Sequence, residues 1–103
     1  MGCRKGGTLI PYTLFRAKVE DYERWKPGFD EHSTSRRESG SKGGRLFRNA
    51  DDPNEVVILL EWDDFENARQ FTQSEDLREA MQRHGVAGQP EIFFLEEVET
   101  VEV

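Results

Sequence analysis

Val56-Val57-Ile58-Leu59-Leu60 and Ile92-Phe93-Phe94-Leu95 are apolar at every position in a chain that is otherwise strongly polar. Both runs are short and rich in β-branched or aromatic residues. Turn residues precede each, Asp51-Asp52-Pro53-Asn54 before the first and Gly88-Gln89-Pro90 before the second. These features read as strands. Side chains alternate across a strand, so a strand apolar on both sides requires a sheet covered on both faces. The helical segments of the chain suffice for one face only. A second copy of the chain is the expected cover of the other, which predicts a homodimer.

The flanking segments complete the pattern. Leu9 to Val19 alternates, with Thr13, Phe15, Ala17 and Val19 on one side and Tyr12, Leu14, Arg16 and Lys18 on the other. Asp21 is placed to cap a helix in which Tyr22, Trp25, Phe29, His32 or Ser33, and Arg36 recur at helical spacing. Pro27 predicts a kink or restart in that helix, and Gly40 its end. Lys42 to Asn49 and Glu55 to Trp62 read as the second and third strands. Asp63-Asp64-Phe65-Glu66 has the spacing of a capping box, with Ala68 and Phe71 on the inner face of the helix it opens. Ser74 caps a further segment facing inward through Leu77, Ala80 or Met81, and His84, with Gly85-Val86 as its close. A fourth strand runs from Pro90 to about Val98. The order β-α-β-β-α-β predicts an α+β, ferredoxin-like antiparallel sheet with its helices on one face. Residues 9–103 form the expected single domain, after a flexible glycine-rich lead-in over residues 1–8.

Composition narrows the partners. With 103 residues, 35% of them hydrophobic, and a mean hydropathy of −0.80, the core is lean, and burial in an oligomer is a common remedy. The net charge of −7 argues against nucleic acid or an anionic membrane as partner. No apolar run approaches the roughly 20 residues that span a bilayer. The expected partners are therefore the chain itself and a small ligand. Cys3 is the single cysteine, which excludes an internal disulfide and fits a reducing cytoplasm. The first residues lack the apolar stretch of a signal peptide, and Gly6 stands where a myristoylation signal needs Ser or Thr.

Leu60-Glu61-Trp62-Asp63-Asp64, Ala68, Phe71, Ser74-Glu75-Asp76-Leu77 and Ala80-Met81 together resemble the dimeric α+β barrel superfamily, and within it the antibiotic-biosynthesis-monooxygenase-like proteins. The resemblance implies a homodimer whose sheets pack face to face, with a ligand cavity in each protomer between sheet and helices. It also implies a choice among cofactor-free quinone-forming monooxygenases, haem-degrading enzymes, polyketide-cyclase-like proteins and muconolactone isomerases. In the haem-degrading members an axial histidine lies on the last helix. That position falls on Met81 here, and His84 is almost a turn away, so haem is not expected.

His32 and Arg36, four residues apart on one helical face, continue the stripe of Tyr22, Trp25 and Phe29. A basic pair at the end of an apolar stripe suits the carboxylate or enolate of a small aromatic ligand, with His32 as proton shuttle and Arg36 holding the oxyanion. The same position also suits cations simply because it lies near a helix C-terminus. His84, near the end of its own helix, carries the same two readings. Trp25 and Trp62 offer planar apolar faces, and Phe29, Phe71 and Met81 complete the expected ligand-binding wall. No paired histidine spacing or second cysteine is present, so neither a metal site nor a cofactor is predicted. Arg16 and Arg48 lie mid-strand, with Glu61 as an expected partner. Gly40-Ser41-Lys42-Gly43-Gly44 follows a helix and precedes a strand, the reverse of a phosphate-binding loop, and reads as a turn. Two functions fit: a cofactor-independent monooxygenase- or cyclase-like enzyme for a small aromatic or polyketide-like substrate, or a non-catalytic dimeric ligand-binding or stress-related protein. Only the site can separate them.

Overall fold

Residues 10–102 are described by a computed structural model. The lead-in over residues 1–8 and Cys3 lie outside the described residues, as do Leu9 and Val103. The elements run β1 (Ile10–Val19), α1 (Tyr22–Glu31), α2 (Ser33–Glu38), β2 (Ser41–Asn49), β3 (Asp52–Trp62), α3 (Phe65–Thr72), α4 (Glu75–Arg83) and β4 (Val86–Glu97). The strands form one antiparallel sheet in the order β2-β3-β1-β4. This is the ferredoxin-like α+β fold, each of its two helical connections being broken into two helices. No helix among the described residues is long and apolar enough to cross a membrane.

Local chemistry explains the boundaries, sometimes differently from the sequence expectation. Asp21 caps α1 by accepting from the Glu23 amide, and Ser74 caps α4 by accepting from the Leu77 amide at 3.1 Å. The α3 cap is Asp64, not Asp63. Its carboxylate accepts from the Asn67 amide at 2.8 Å, while Asp63 accepts from the Asn67 side chain. The first helical connection breaks at His32 rather than at Pro27, which α1 accommodates within its length. Residues 41–44 belong to β2 rather than to a turn, because Gly40 at φ +114° completes the reversal alone. The β2–β3 hairpin turns at Ala50-Asp51, so Asp52-Pro53-Asn54 lies in strand. β4 begins at Val86, four residues before Pro90. A bulge opposite Ala17 takes up Gly88-Gln89-Pro90, and as an edge strand β4 tolerates the missing proline donor.

The two apolar runs split by face. Val56, Ile58 and Trp62 of β3 and Thr13, Ala17 and Val19 of β1 are buried toward the helices. On the opposite face Leu14 stands between Leu59 and Phe93, Tyr12 between Glu61 and Leu95, and Phe47 beside Val57. No described residue covers that face: Phe47 and Phe93 are each 49% exposed and Leu95 38%. Arg16 lies there too, paired with Glu55 and Glu91 instead of Glu61. Arg48 instead projects over the Tyr22 ring, 4.5 Å from its centroid.

Candidate functional site

Beneath the helices the core is two clusters, not one. Val19, Trp25, Val56 and Ile58 form the first, and Trp62, Ala68 and Phe71 the second, with Leu60 touching both. A chamber lies between them, about 70 Å³ measured to the centres of water-sized spheres. Small residues on the facing helices keep it open, notably Gly28 of α1, Thr72 of α3 and Ala80 of α4. Gly28 also makes room for His84, since a Cβ there would collide with the His84 ring. The His84 imidazole therefore rests directly on the α1 backbone.

The chamber wall is apolar through Trp25, Phe29, Ile58, Phe71 and Met81, and polar at few points. His32, Arg36 and His84 all line it. His32 occupies the break between α1 and α2, where its amide bonds to the Gly28 and Phe29 carbonyls as the helix axis changes. Its imidazole lies 6.0 Å from the Phe71 ring, and Nε2 is 3.4 Å from Asp76 Oδ2 at the start of α4. Ser35 Oγ donates to the same oxygen at 3.3 Å. With Nε2 turned to Asp76, Nδ1 is the nitrogen with no partner among the described residues. Arg36 stacks on Phe29, its guanidinium carbon 3.9 Å from the ring centroid. Burial pushes the Arg36 guanidinium below its usual range, and the nearby Asp30 charge opposes that shift.

Of the residues singled out in the sequence, Trp25, Phe29, His32, Arg36, Phe71, Met81 and His84 meet around this one space. Trp62 does not reach the wall. It is 1% exposed, tilted against Phe71 at 5.3 Å, with Nε1 donating to Thr13 Oγ1 at 2.9 Å. Thr13 does line the chamber. Accepting from Trp62 leaves its own hydroxyl proton to donate elsewhere. Thr13 and Asp76 were missed in the sequence: one sits in an ordinary strand alternation, the other in an ordinary acidic first turn. Among the described residues no group of three or more His, Cys, Asp or Glu is arranged to hold a metal ion.

The profile of the antibiotic biosynthesis monooxygenase family matches residues 12–83. The chain belongs to that family. The match takes in β1 through α4, and hence nearly all of the chamber wall. Among solved structures, a Bordetella bronchiseptica protein carrying the same family description superposes with TM-score 0.77 at 17% identity, over 89% of this chain and 100% of its own. SnoaB, a cofactor-independent oxygenase from Streptomyces nogalater, gives 0.74 at 15%, over 91% and 98%. The ActVA-Orf6 monooxygenase of Streptomyces coelicolor, solved with the ligand nanaomycin D, gives 0.67 at 17%, over 92% and 93%. At such identities these family likenesses establish the fold and not the chemistry. No curated protein matches the sequence.

Proposed function

We propose that this family member is a cofactor-independent monooxygenase for a small planar phenolic or enolisable substrate, working as a homodimer in the cytoplasm. The observation that carries this reading is a histidine and an arginine together on the wall of an otherwise apolar chamber. Oxygenation without a cofactor requires the substrate itself to reduce dioxygen, and only its anion is electron-rich enough. Two groups are then needed: a base to form the anion and a cation to hold its oxygen. His32 suits the first role. Asp76 Oδ2 lies 3.4 Å from Nε2, and Nδ1, with no partner among the described residues, is the nitrogen that takes the substrate proton. Arg36 suits the second. The substrate carbanion bonds to dioxygen, the resulting hydroperoxide carbon loses its remaining hydrogen, and the O–O bond breaks to leave a carbonyl and water. One oxygen atom enters the product, the other leaves as water, and all the electrons come from the substrate.

The bare apolar face around Phe93, Leu95 and Phe47 supports the dimer, since monomers seldom expose contiguous patches of that kind. Cys3 as the single cysteine suits a reducing compartment. The second reading, a non-catalytic binding or stress-related protein, draws on chamber size. About 70 Å³ is well below the roughly 300–1,000 Å³ of typical ligand pockets.

Oxygen uptake with a panel of naphthols and anthrone separates the two. The enzyme reading expects uptake above spontaneous oxidation, reduced about 100-fold or more in His32→Ala. Arg36→Ala should weaken ligand binding by about 1.5–3 kcal/mol, the value of a charged hydrogen bond. Quenching of tryptophan fluorescence without uptake would favour the second reading. Neither quenching nor uptake across the panel would remove the chamber as a site.

A further inference from the structure

The chamber is small for a ligand pocket, yet it is not isolated. A second, larger groove of about 490 Å³ runs between the α1–α2 layer and β2, and Phe29, Arg36, Ile58 and Leu60 line both spaces. The Arg36–Phe29 stack is thus a partition between an apolar inner room and an outer one of different character. The outer groove has five cationic residues along its wall and no acidic one. The whole chain has 21 acidic residues against 14 basic ones, so the groove runs counter to the rest of the surface.

Three of these cations are also available. Lys26 is paired with Asp30 at 2.8 Å. Arg36, Arg37 and Lys42 have no carboxylate within salt-bridge distance among the described residues. Arg45, although on the wall, stands opposite Leu59 in the register, on the other face of the sheet. Arg36 and Arg37 occupy the last turn of α2. Lys42 owes its place to a bulge: Ser41 pairs with Trp62 and Gly43 with Glu61, so Lys42 is the extra residue between them. Gly43, at φ +106°, lets the strand make this excursion. Gly44 then leaves the floor free of any side chain, and a Cβ there would stand 1.8 Å from the Leu59 carbonyl oxygen. The segment that read as a turn in sequence is a bulged strand edge that presents a lysine to two arginines.

We propose that this groove is an anion subsite continuous with the chamber, and that the ligand is an aromatic carboxylate: its ring enters the chamber while its acid tail reaches Arg37 and Lys42. The proposal rests on the reading of the chamber as an aromatic site and adds the charge and shape of the ligand. Arg36, at the partition, serves both halves. An exposed pair of cations converging on one carboxylate supplies charge-assisted hydrogen bonds, weakened by solvent but in register with a bound ring.

The test uses ω-(2-naphthyl)alkanoates of increasing chain length and the corresponding neutral alcohols, titrated into the full chain with tryptophan fluorescence as readout. At one chain length the acid should bind about tenfold more tightly than its alcohol. That advantage should vanish at about 1 M salt, where the screening length is about 3 Å. Arg37→Ser/Lys42→Ser should bring the acid down to the affinity of the alcohol. Both residues are exposed, so their loss does not threaten the fold. Arg78→Ser, an exposed cation on α4 outside the groove, should keep the full advantage. Equal binding of acid and alcohol at every length, or an advantage that survives the double variant, would overturn the groove alone. Failure of both ligand series to quench would overturn the chamber reading, and this proposal with it.

Discussion

Replacing Thr13 with Val removes one oxygen from the centre of the molecule and little else. Thr13 is 3% exposed and accepts from Trp62 Nε1 at 2.9 Å, while Trp62 is itself 1% exposed. Valine keeps the shape and the β-branching that suit the strand. The indole N–H would then be buried beside a methyl group. Leaving such a donor unsatisfied costs about 1–3 kcal/mol. For a domain of this size, each kcal/mol lowers Tm by about 4–8 °C. Thermal unfolding at fixed protein concentration measures the loss, and exchange of the Trp62 indole proton should quicken in the variant. The cost should belong to the pair, not to the position. In a Trp62→Phe background no donor is left to strand, so Thr13→Val should cost within about 0.5 kcal/mol of nothing. An equal penalty in both backgrounds would refute the reasoning and assign the loss to strand packing.

Phe93→Asp should convert the chain to a folded monomer. Its ring is 49% exposed on the uncovered face, and losing one buried aromatic from each of two symmetric partners weakens association by roughly 100-fold or more. Sedimentation showing a wild-type monomer at micromolar concentration would refute the dimer outright. Glu55→Gln should lower stability at neutral pH but not in acid. The Arg16 hydrogen bond holds the Glu55 carboxyl below its usual range, outweighing the opposing effect of burial. A depressed carboxylate stabilises the fold above its unfolded pKa, about 4.3, and that increment is lost as pH falls through the lower folded value. Urea midpoints of the two proteins should therefore converge below about pH 4, and a gap constant with pH would refute the assignment.

Elements set by contacts within a few residues could be read directly from the chain. Asp21 and Ser74 each bond an amide two or three residues ahead, so the cap is written where it acts. The alternation of β1 and the two-faced apolar runs of β3 and β4 likewise follow from the strand period alone. The stripe Trp25, Phe29, His32 and Arg36 pointed toward a common space for the same reason, because helical spacing determines which side chains share a face. The expected cap at Asp63 and helix break at Pro27 failed at the same scale, since two adjacent aspartates compete for one cap and a helix can absorb a proline.

What surrounds those side chains depended on the packing of distant segments. Asp76 meets Ser35 across 41 positions and Thr13 meets Trp62 across 49; neither pairing leaves a periodic trace. Trp62 and Trp25 look alike in the sequence, yet one is buried behind Phe71 and the other lines the chamber, because the path of α3 over the sheet decides which ring is covered. Lys42 becomes the extra residue of a bulge only through the register β2 takes against β3. Periodicity is a property of one segment, whereas a chamber, a dyad and a cationic groove arise where several segments meet, and the docking of helices on the sheet determines that meeting.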